Sequence, residues 1–338
     1  MILFCASDAG PGKNLAILIK NIGWDKHAVY AGAVSHDIFN DCRIKSELIG
    51  KPYRIQTIKK IINSARPKLI ITGTSWGRAL EKYFLAAANS CGIPSISIIE
   101  NWSWYKERFI LDGKLIFPEY IIVNDEIAKQ EAINDGLPEK KIYPAGNMFL
   151  EDMAGRKISN LPKRRWLKEL GLPEKKIVTF ISEEYKNDFP KESEFYQGFD
   201  EYAVLNDILS VAGDNYHVLI KLHPSENTDK YDAFKRKNIT IVNKIDNAAL
   251  IFNSDFIIGM GSMFLIESSL HRHDIISYRP DEKIVFAGNK IGASYLITDK
   301  NELREVLSGK KKIKNRGLKQ RFSGSTNRIA EFVMEKLK

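Results

Sequence analysis

Asn253-Ser254-Asp255-Phe256-Ile257-Ile258-Gly259-Met260-Gly261-Ser262-Met263-Phe264-Leu265-Ile266-Glu267-Ser268-Ser269-Leu270, with Asp274-Ile275-Ile276-Ser277-Tyr278 close behind, is the stretch whose reading decides the fold. Phe256 to Gly259 and Ile275 to Tyr278 are short apolar runs, and the segment between them has room for one helix, so the order is strand, glycine turn, helix, strand. Gly259 and Gly261 allow a tight turn, and Ser262 then offers a hydroxyl and free N–H groups at the positive end of the helix. That geometry suits a phosphate. It is equally the geometry of an ordinary connection in which Ser262 caps its helix. Glu267, five residues on, is spaced to reach back towards ribose hydroxyls.

The same alternation extends in both directions. Ile2 to Ser7, His27 to Ala31, Lys68 to Thr72, Ser95 to Ile99 and Tyr120 to Val123 read as strands apolar on both faces, as parallel strands covered by helices are. Asn14 to Ile22, Gln56 to Ala65, Arg78 to Cys91 and Ile127 to Asp135 read as the helices between them. Ile177 to Ser182, Val218 to Leu222 and Ile239 to Val242 repeat the style ahead of the opening stretch. Expected is an α/β fold of two Rossmann-like, doubly wound parallel-sheet domains facing an interdomain cleft, where the carboxyl ends of the strands bind ligands. Residues 1–155 form the first domain, 156–315 the second, and 316–338 a helix packing across both, with the linker near Gly155 to Pro162.

Composition narrows the class. A chain of 338 residues with 44% hydrophobic and 28% charged residues forms substantial cores, and no apolar run approaches the ~20 residues that cross a bilayer. The chain opens directly on Ile2-Leu3-Phe4, without a basic leader, and its three cysteines have neither disulfide nor metal-ligand spacing; the expected location is the cytoplasm. Lys310, Lys311, Lys312, Lys314, Arg316, Lys319 and Arg321 contain no acid among them, and without them the net charge falls from +9 to +2. Such a patch is expected to attract anionic lipid head groups at the inner membrane face or a polyanionic substrate, or is a solvated linker with a basic helix face; no nucleic-acid module accompanies it.

A second motif, Lys221-Leu222-His223-Pro224-Ser225-Glu226, ends the strand Val218 to Leu222. A histidine held there by proline can bond a phosphate or protonate a leaving one, with Lys221 able to neutralise the same charge, or it simply satisfies backbone carbonyls in a turn. With the Gly259 to Ser262 turn following it, the order resembles the carboxyl-terminal domain of GT-B sugar-nucleotide enzymes of bacterial surface polysaccharide synthesis: sialyltransferase-like, glycerophosphotransferase-like and UDP-N-acetylglucosamine 2-epimerase-like groups. The likeness covers residues 177 to 280 by pattern and the remainder by architecture. It implies nucleotide contacts from His223, Pro224, Ser262, Ser268 and Ser269. The epimerase-like His-Arg-x-Glu-Asn stretch is replaced by Ser182-Glu183-Glu184-Tyr185-Lys186-Asn187, which argues against epimerase chemistry, and Gly259 stands where a retaining transferase often carries the first of two glutamates. The glycerophosphotransferase-like His-Gly partner has no counterpart.

The first domain then holds the acceptor and a base for its hydroxyl proton. Asp8 and the turn Ala9-Gly10-Pro11-Gly12 follow the first strand; Thr74 and Ser75 end another; Glu100-Asn101-Trp102-Ser103-Trp104-Tyr105 joins an acid, an amide and aromatics suited to a sugar. Glu100 is the leading base and Asp8 the second, with acceptor contacts from Gly10, Gly12, Thr74, Ser75, Asn101 and Trp102. Donor contacts are expected from Lys221, Pro224, Gly259, Gly261, Ser262, Glu267, Ser268, Ser182, Glu183 and Asn147. The function expected is an inverting, metal-independent transfer from a UDP- or CMP-linked sugar to a glycan or lipid-linked acceptor, without a further cofactor. A UDP-sugar hydrolase or hydrolysing 2-epimerase, and a non-catalytic sugar-nucleotide or glycan-binding protein, are the alternatives.

Overall fold

In a computed structural model, residues 1–156, 161–223, 226–281 and 283–337 are described. The chain divides into two compact units, Met1–Asp152 with Phe322–Lys338, and Met153–Arg321.

The first unit contains β1 (Ile2–Ala6), α1 (Ala9–Asn21), β2 (His27–Ala31), α2 (Ala33–Asp41), β3 (Glu47–Leu48), α3 (Ile55–Ala65), β4 (Leu69–Thr72), α4 (Leu80–Cys91) and β5 (Ser95–Ile98). A small hairpin of β6 (Ile110–Leu111) and β7 (Lys114–Leu115) follows, then β8 (Tyr120–Val123), α5 (Glu126–Asn134), β9 (Ile142–Pro144) and α6 (Met148–Gly155). Seven strands pair in the order β3-β2-β1-β4-β5-β8-β9, every pair parallel. Period-two alternation along β1 explains the double winding. Ile2, Phe4 and Ala6 join one core with Leu15 and Leu18 of α1, while Leu3 and Cys5 join the other with Ile58 and Ile62 of α3 and Phe84 of α4.

The second unit contains α7 (Lys163–Glu169), β10 (Lys176–Ile181), α8 (Tyr185–Asp188), α9 (Glu201–Ala212), β11 (Tyr216–Lys221), β12 (Ile239–Val242) and α10 (Asn247–Asn253). β13 (Phe256–Gly259), α11 (Met263–Ser269), β14 (Ile275–Tyr278), α12 (Ala287–Lys290), β15 (Tyr295–Ile297) and α13 (Lys300–Leu307) complete it. Its six strands run β12-β11-β10-β13-β14-β15, again all parallel. Val178 and Phe180 face α9 and α13; Ile177 and Ile181 face the core containing α7, α10 and α11. In each sheet the strand order reverses beside the first strand, between β1 and β4 and between β10 and β13, and such switch points open a crevice at the strands' carboxyl ends.

The ten strands anticipated from apolar runs all form. β3, β6, β7 and β15, each two or three residues long, were not anticipated, and in the first unit neither were α2 and α6. The stretch Ala9-Gly10-Pro11-Gly12, expected as a turn before a helix, is instead the first turn of α1; proline tolerates that place because the first N–H groups of a helix have no partner within it. The expected linker falls partly on 157–160, outside the described residues. The terminal helix α14 (Ser325–Leu337) buries Ile329, Val333 and Leu337 in the core of the first unit beside α1. Gly146 sits at φ +115, and a Cβ there would lie 2.0 Å from Ser325 Oγ, so the close seating of α14 requires glycine at this position. Glu151 accepts hydrogen bonds from the Thr326 amide at 2.8 Å and its hydroxyl at 2.7 Å, and Ser325 Oγ accepts one from the Asn147 amide at 3.1 Å. Among the described residues no helix is long and apolar enough to cross a membrane.

Candidate functional site

In the first unit a polar cluster lies under the carboxyl ends of β1, β4 and β5. Glu81, in the first turn of α4, is 1% exposed and accepts hydrogen bonds from the Ser7 amide at 2.8 Å, the Ser7 hydroxyl at 2.5 Å and the Ser75 hydroxyl at 2.6 Å. Burial raises its pKa. Glu100 follows β5, and its side chain is 15% exposed. Its Oε2 is buried without a hydrogen-bond partner, and its Oε1 lies 3.8 Å from the Arg108 guanidinium. Burial lifts the Glu100 carboxyl to about 7, against the opposing pull of Arg108. A Cβ on Gly10 would sit 3.0 Å from Glu100 Oε1, so glycine lets α1 approach this carboxylate. Asp8 begins α1 with an exposed side chain that makes no cap, while its carbonyl accepts from Ser35 Oγ at 2.7 Å.

Several residues expected to touch an acceptor serve as framework here. Thr74 is 2% exposed and receives Arg108 at both its carbonyl and its hydroxyl, each 3.1 Å. Ser75 is committed to Glu81. Trp102 is 3% exposed; its Nε1 donates to Asp125 at 3.0 Å, and its ring packs edge-on against Phe322. Asn101 Oδ1 accepts from the Trp102 amide at 2.7 Å. Gly12 packs against Ser35, whose Oγ a Cβ would approach to 2.9 Å. Asn147, expected on the donor side, belongs to the first unit: its Nδ2 donates to the Glu100 carbonyl at 3.0 Å and to Asn124 at 3.1 Å, so it fixes the backbone that carries the acid.

In the second unit the motifs gather at the ends of β10, β11 and β13. Glu226, 4% exposed, accepts from the Ser182 hydroxyl at 2.8 Å, the His223 amide at 2.7 Å and Lys230 Nζ at 2.5 Å, and so pins the turn that carries His223. The His223 side chain is exposed. Ser182 is thereby committed, sharing its hydroxyl with Tyr231 at 2.6 Å as well. Lys221 Nζ lies 5.1 Å from the centre of the Phe264 ring in the first turn of α11; burial lowers its pKa, while Glu267 and Glu226 act the other way. Ser262 Oγ accepts from the Phe264 amide at 3.2 Å, as a cap does. Ser268 and Ser269 are buried, and each hydroxyl returns to a backbone carbonyl, that of Phe264 for Ser268 and that of Ile266 for Ser269, both at 2.7 Å. Gly259 faces Leu265 and Ile181 within the core. Pro224 lies outside the described residues.

The Gly261 amide, expected to meet a phosphate, donates to Glu183 Oε2 at 2.9 Å. Burial pushes Glu183 to about 7 although that amide and Arg279 pull it down. Arg279 is 2% exposed and donates to Tyr185 Oη at 2.9 Å, Met260 O at 3.2 Å, Gln197 Oε1 at 3.0 Å and Ile284 O at 2.6 Å. A Cβ on Gly261 would stand 2.4 Å from Tyr185 Oη, so glycine is again required by a close approach. Each unit therefore carries a glutamate at about 7, at a strand end and beside a glycine. Both carboxyls rise from 4.5, so the folded chain holds protons that the unfolded chain has released between pH 4.5 and 7, and the stability they contribute is lost as pH rises through that window. Carboxyls perturbed in this way at strand ends make both places candidate sites.

Arg108 and Arg279 were missed by sequence reasoning, because a lone arginine among charged loop residues carries no periodic signal; Glu226 was quoted without a role. Among the described residues no group of three or more histidines, cysteines or acids is placed to hold a metal ion.

Residues 39–338 match a family described as "Protein of unknown function (DUF354)". The chain belongs to the DUF354 family. No curated protein matches this DUF354 chain. Among solved structures it is similar to UDP-GlcNAc 2-epimerase from Methanocaldococcus jannaschii, at 14% identity and TM-score 0.68, covering 99% of each chain. The same enzyme from Neisseria meningitidis, bound to UDP-GlcNAc, matches at 13% identity and TM-score 0.70, covering 99% of this chain and 100% of that one. Anabaena Alr3699/HepE in complex with UDP matches at 12% and 0.63, covering 100% and 96%. The shared property is the fold: two Rossmann-like parallel-sheet units of the GT-B type.

Proposed function

We propose that this DUF354 protein is a metal-independent glycosyltransferase that uses a UDP-linked sugar, its second unit binding the donor and its first unit the acceptor. The observation that carries the reading is Glu100: a carboxyl raised to about 7, with one oxygen unpartnered, at a parallel strand's carboxyl end. Such a group takes the proton of an acceptor hydroxyl as that oxygen attacks the anomeric carbon and the sugar–phosphate bond breaks. Lys221 and the His223 turn supply positive charge and donors for the departing phosphate. UDP-GlcNAc and UDP in the fold neighbours support a uridine donor. They also favour a second reading, in which the same donor meets water or is epimerised; free sugar released without an acceptor distinguishes it.

Calorimetric titration with UDP-GlcNAc tests the reading, with UDP, CMP, CDP and GDP as comparators. The expected result is selective binding of the uridine ligands, weakened about tenfold in Ser262→Ala, the loss of one or two hydrogen bonds. Absence of binding to every nucleotide sinks it.

Glu183 adds a pH signature. Its carboxylate holds the Gly261 amide and repels a diphosphate, so binding requires it to protonate or withdraw. UDP-GlcNAc, whose two phosphates keep their charge throughout, is expected to bind about tenfold more tightly at pH 6 than at pH 8, and Glu183→Gln to bind tightly at both. A wild-type affinity flat across this range contradicts the assignment.

A further inference from the structure

Beside the buried cluster of the first unit lies a pair of tryptophans in mutual contact. Trp76 is 53% exposed, although the Thr74 and Ser75 just before it are almost wholly buried. Its ring meets that of Trp104 with centroids 5.3 Å apart and planes at 66°. Trp104 stands at φ +56, a left-handed conformation that a bulky residue seldom adopts and that persists where the surroundings impose it.

Those surroundings are identifiable. Arg108 donates from Nη1 to the Thr74 carbonyl at 3.1 Å and from Nε to the Ser103 carbonyl at 3.2 Å, so one buried guanidinium ties the loop of Trp76 to the loop of Trp104. The same guanidinium is the partner of Glu100. Lys82 Nζ holds the next segment through the carbonyls of Glu107 at 2.9 Å and Ile110 at 3.0 Å. Beyond it, the β6–β7 hairpin presents Asp112 at its tip, which receives Arg78 Nε at 3.1 Å; both side chains are more than half exposed.

We propose that Trp76 and Trp104 form a stacking platform for a sugar ring of the acceptor glycan, an assignment that rests on the transferase reading. The apolar C–H face of a pyranose packs on an indole, and its hydroxyls need donors and acceptors at the rim. Arg78 supplies the first and Asp112 the second. A lipid surface would call for unneutralised cations near the aromatics, and here Arg78, two residues after Trp76, is paired with the Asp112 carboxylate.

The probe is an array of immobilised oligosaccharides, read alongside UDP-GlcNAc calorimetry and sedimentation with phosphatidylglycerol/phosphatidylethanolamine vesicles. The full chain is expected to bind at least one glycan, with affinity reduced at least tenfold in Trp76→Ala and in Trp104→Ala, restored in Trp76→Phe, and with UDP-GlcNAc affinity unchanged. Trp76 is exposed, so its variants test the platform even if Trp104→Ala disturbs its loop. No glycan bound by the wild type, or equal binding by Trp76→Ala, overturns the proposal while a retained UDP-GlcNAc signal leaves the donor reading standing. Glycan binding lost in Trp76→Ala, in a protein that binds no nucleotide, upholds the platform and removes the donor. Vesicle binding that disappears in Trp76→Ala, with no glycan bound, assigns the pair to a membrane and overturns it.

Discussion

Glu100→Gln is expected to lower kcat for UDP release from UDP-GlcNAc in the presence of an acceptor glycan by about 10²–10⁴, the usual contribution of a positioned general base, and to leave UDP-GlcNAc affinity unchanged. The amide keeps the shape of the side chain but accepts no proton. The carboxyl sits at about 7 because burial disfavours its charge and Arg108, 3.8 Å away, only partly offsets that. In the wild type kcat/KM therefore falls as pH drops below about 7, where Glu100 becomes protonated, and in the glutamine variant that acid limb disappears together with most of the activity. The variant is expected to fold normally, since it removes a buried charge and leaves Arg108 bound to Thr74 and Ser103. A variant within about threefold of wild type, with the acid limb intact, excludes Glu100 as the base.

Arg279→Met is expected to destabilise the protein by about 3–5 kcal/mol, the range for removing one partner of a buried charged network. Methionine keeps an aliphatic stem but lacks the guanidinium, so the donors and the positive charge are lost together with the end of the side chain. Gln197 Oε1, Tyr185 Oη and the carbonyls of Met260 and Ile284 each lose the bond from the guanidinium, and its contact with the Phe199 ring goes with them, while the Met260 carbonyl keeps the Ser277 hydroxyl. Glu183 loses a positive neighbour and moves further up from about 7. Urea denaturation followed by the near-ultraviolet signal measures the change, and a loss below about 1 kcal/mol contradicts the account.

How much of this was legible beforehand depends on the kind of signal each residue leaves. Strands such as β1 and β10 are apolar on both faces and can be read directly from composition, and the glycine at 261 marks a turn that is approached closely, whereas Gly10, read as part of a turn, lies in α1. Glu100 and Glu183 were legible as acids at strand ends, because the end of a parallel strand is where function gathers. The state of each candidate was not legible. Ser182, Ser75, Thr74 and Trp102 look like ligand contacts in a sequence, and only the fold brings Glu226, Glu81, Arg108 and Asp125 to occupy them. Those partners stand between 6 and 44 positions away along the chain, beyond the reach of any local pattern. Short edge strands escape for a related reason: Glu47–Leu48 is exposed and has too few residues to show alternation.

The return of α14 to the first unit sets an order of events during synthesis. A ribosome completes the seven strands of that unit and the whole of Met153–Arg321 before Ile329, Val333 and Leu337 exist to cover α1. Until then the part of α1 that α14 covers is bare, and the second unit, continuous in the chain, is free to fold first. A nascent chain stalled ahead of Phe322 is therefore vulnerable at its beginning rather than at its end, and chaperones and proteases would meet it there.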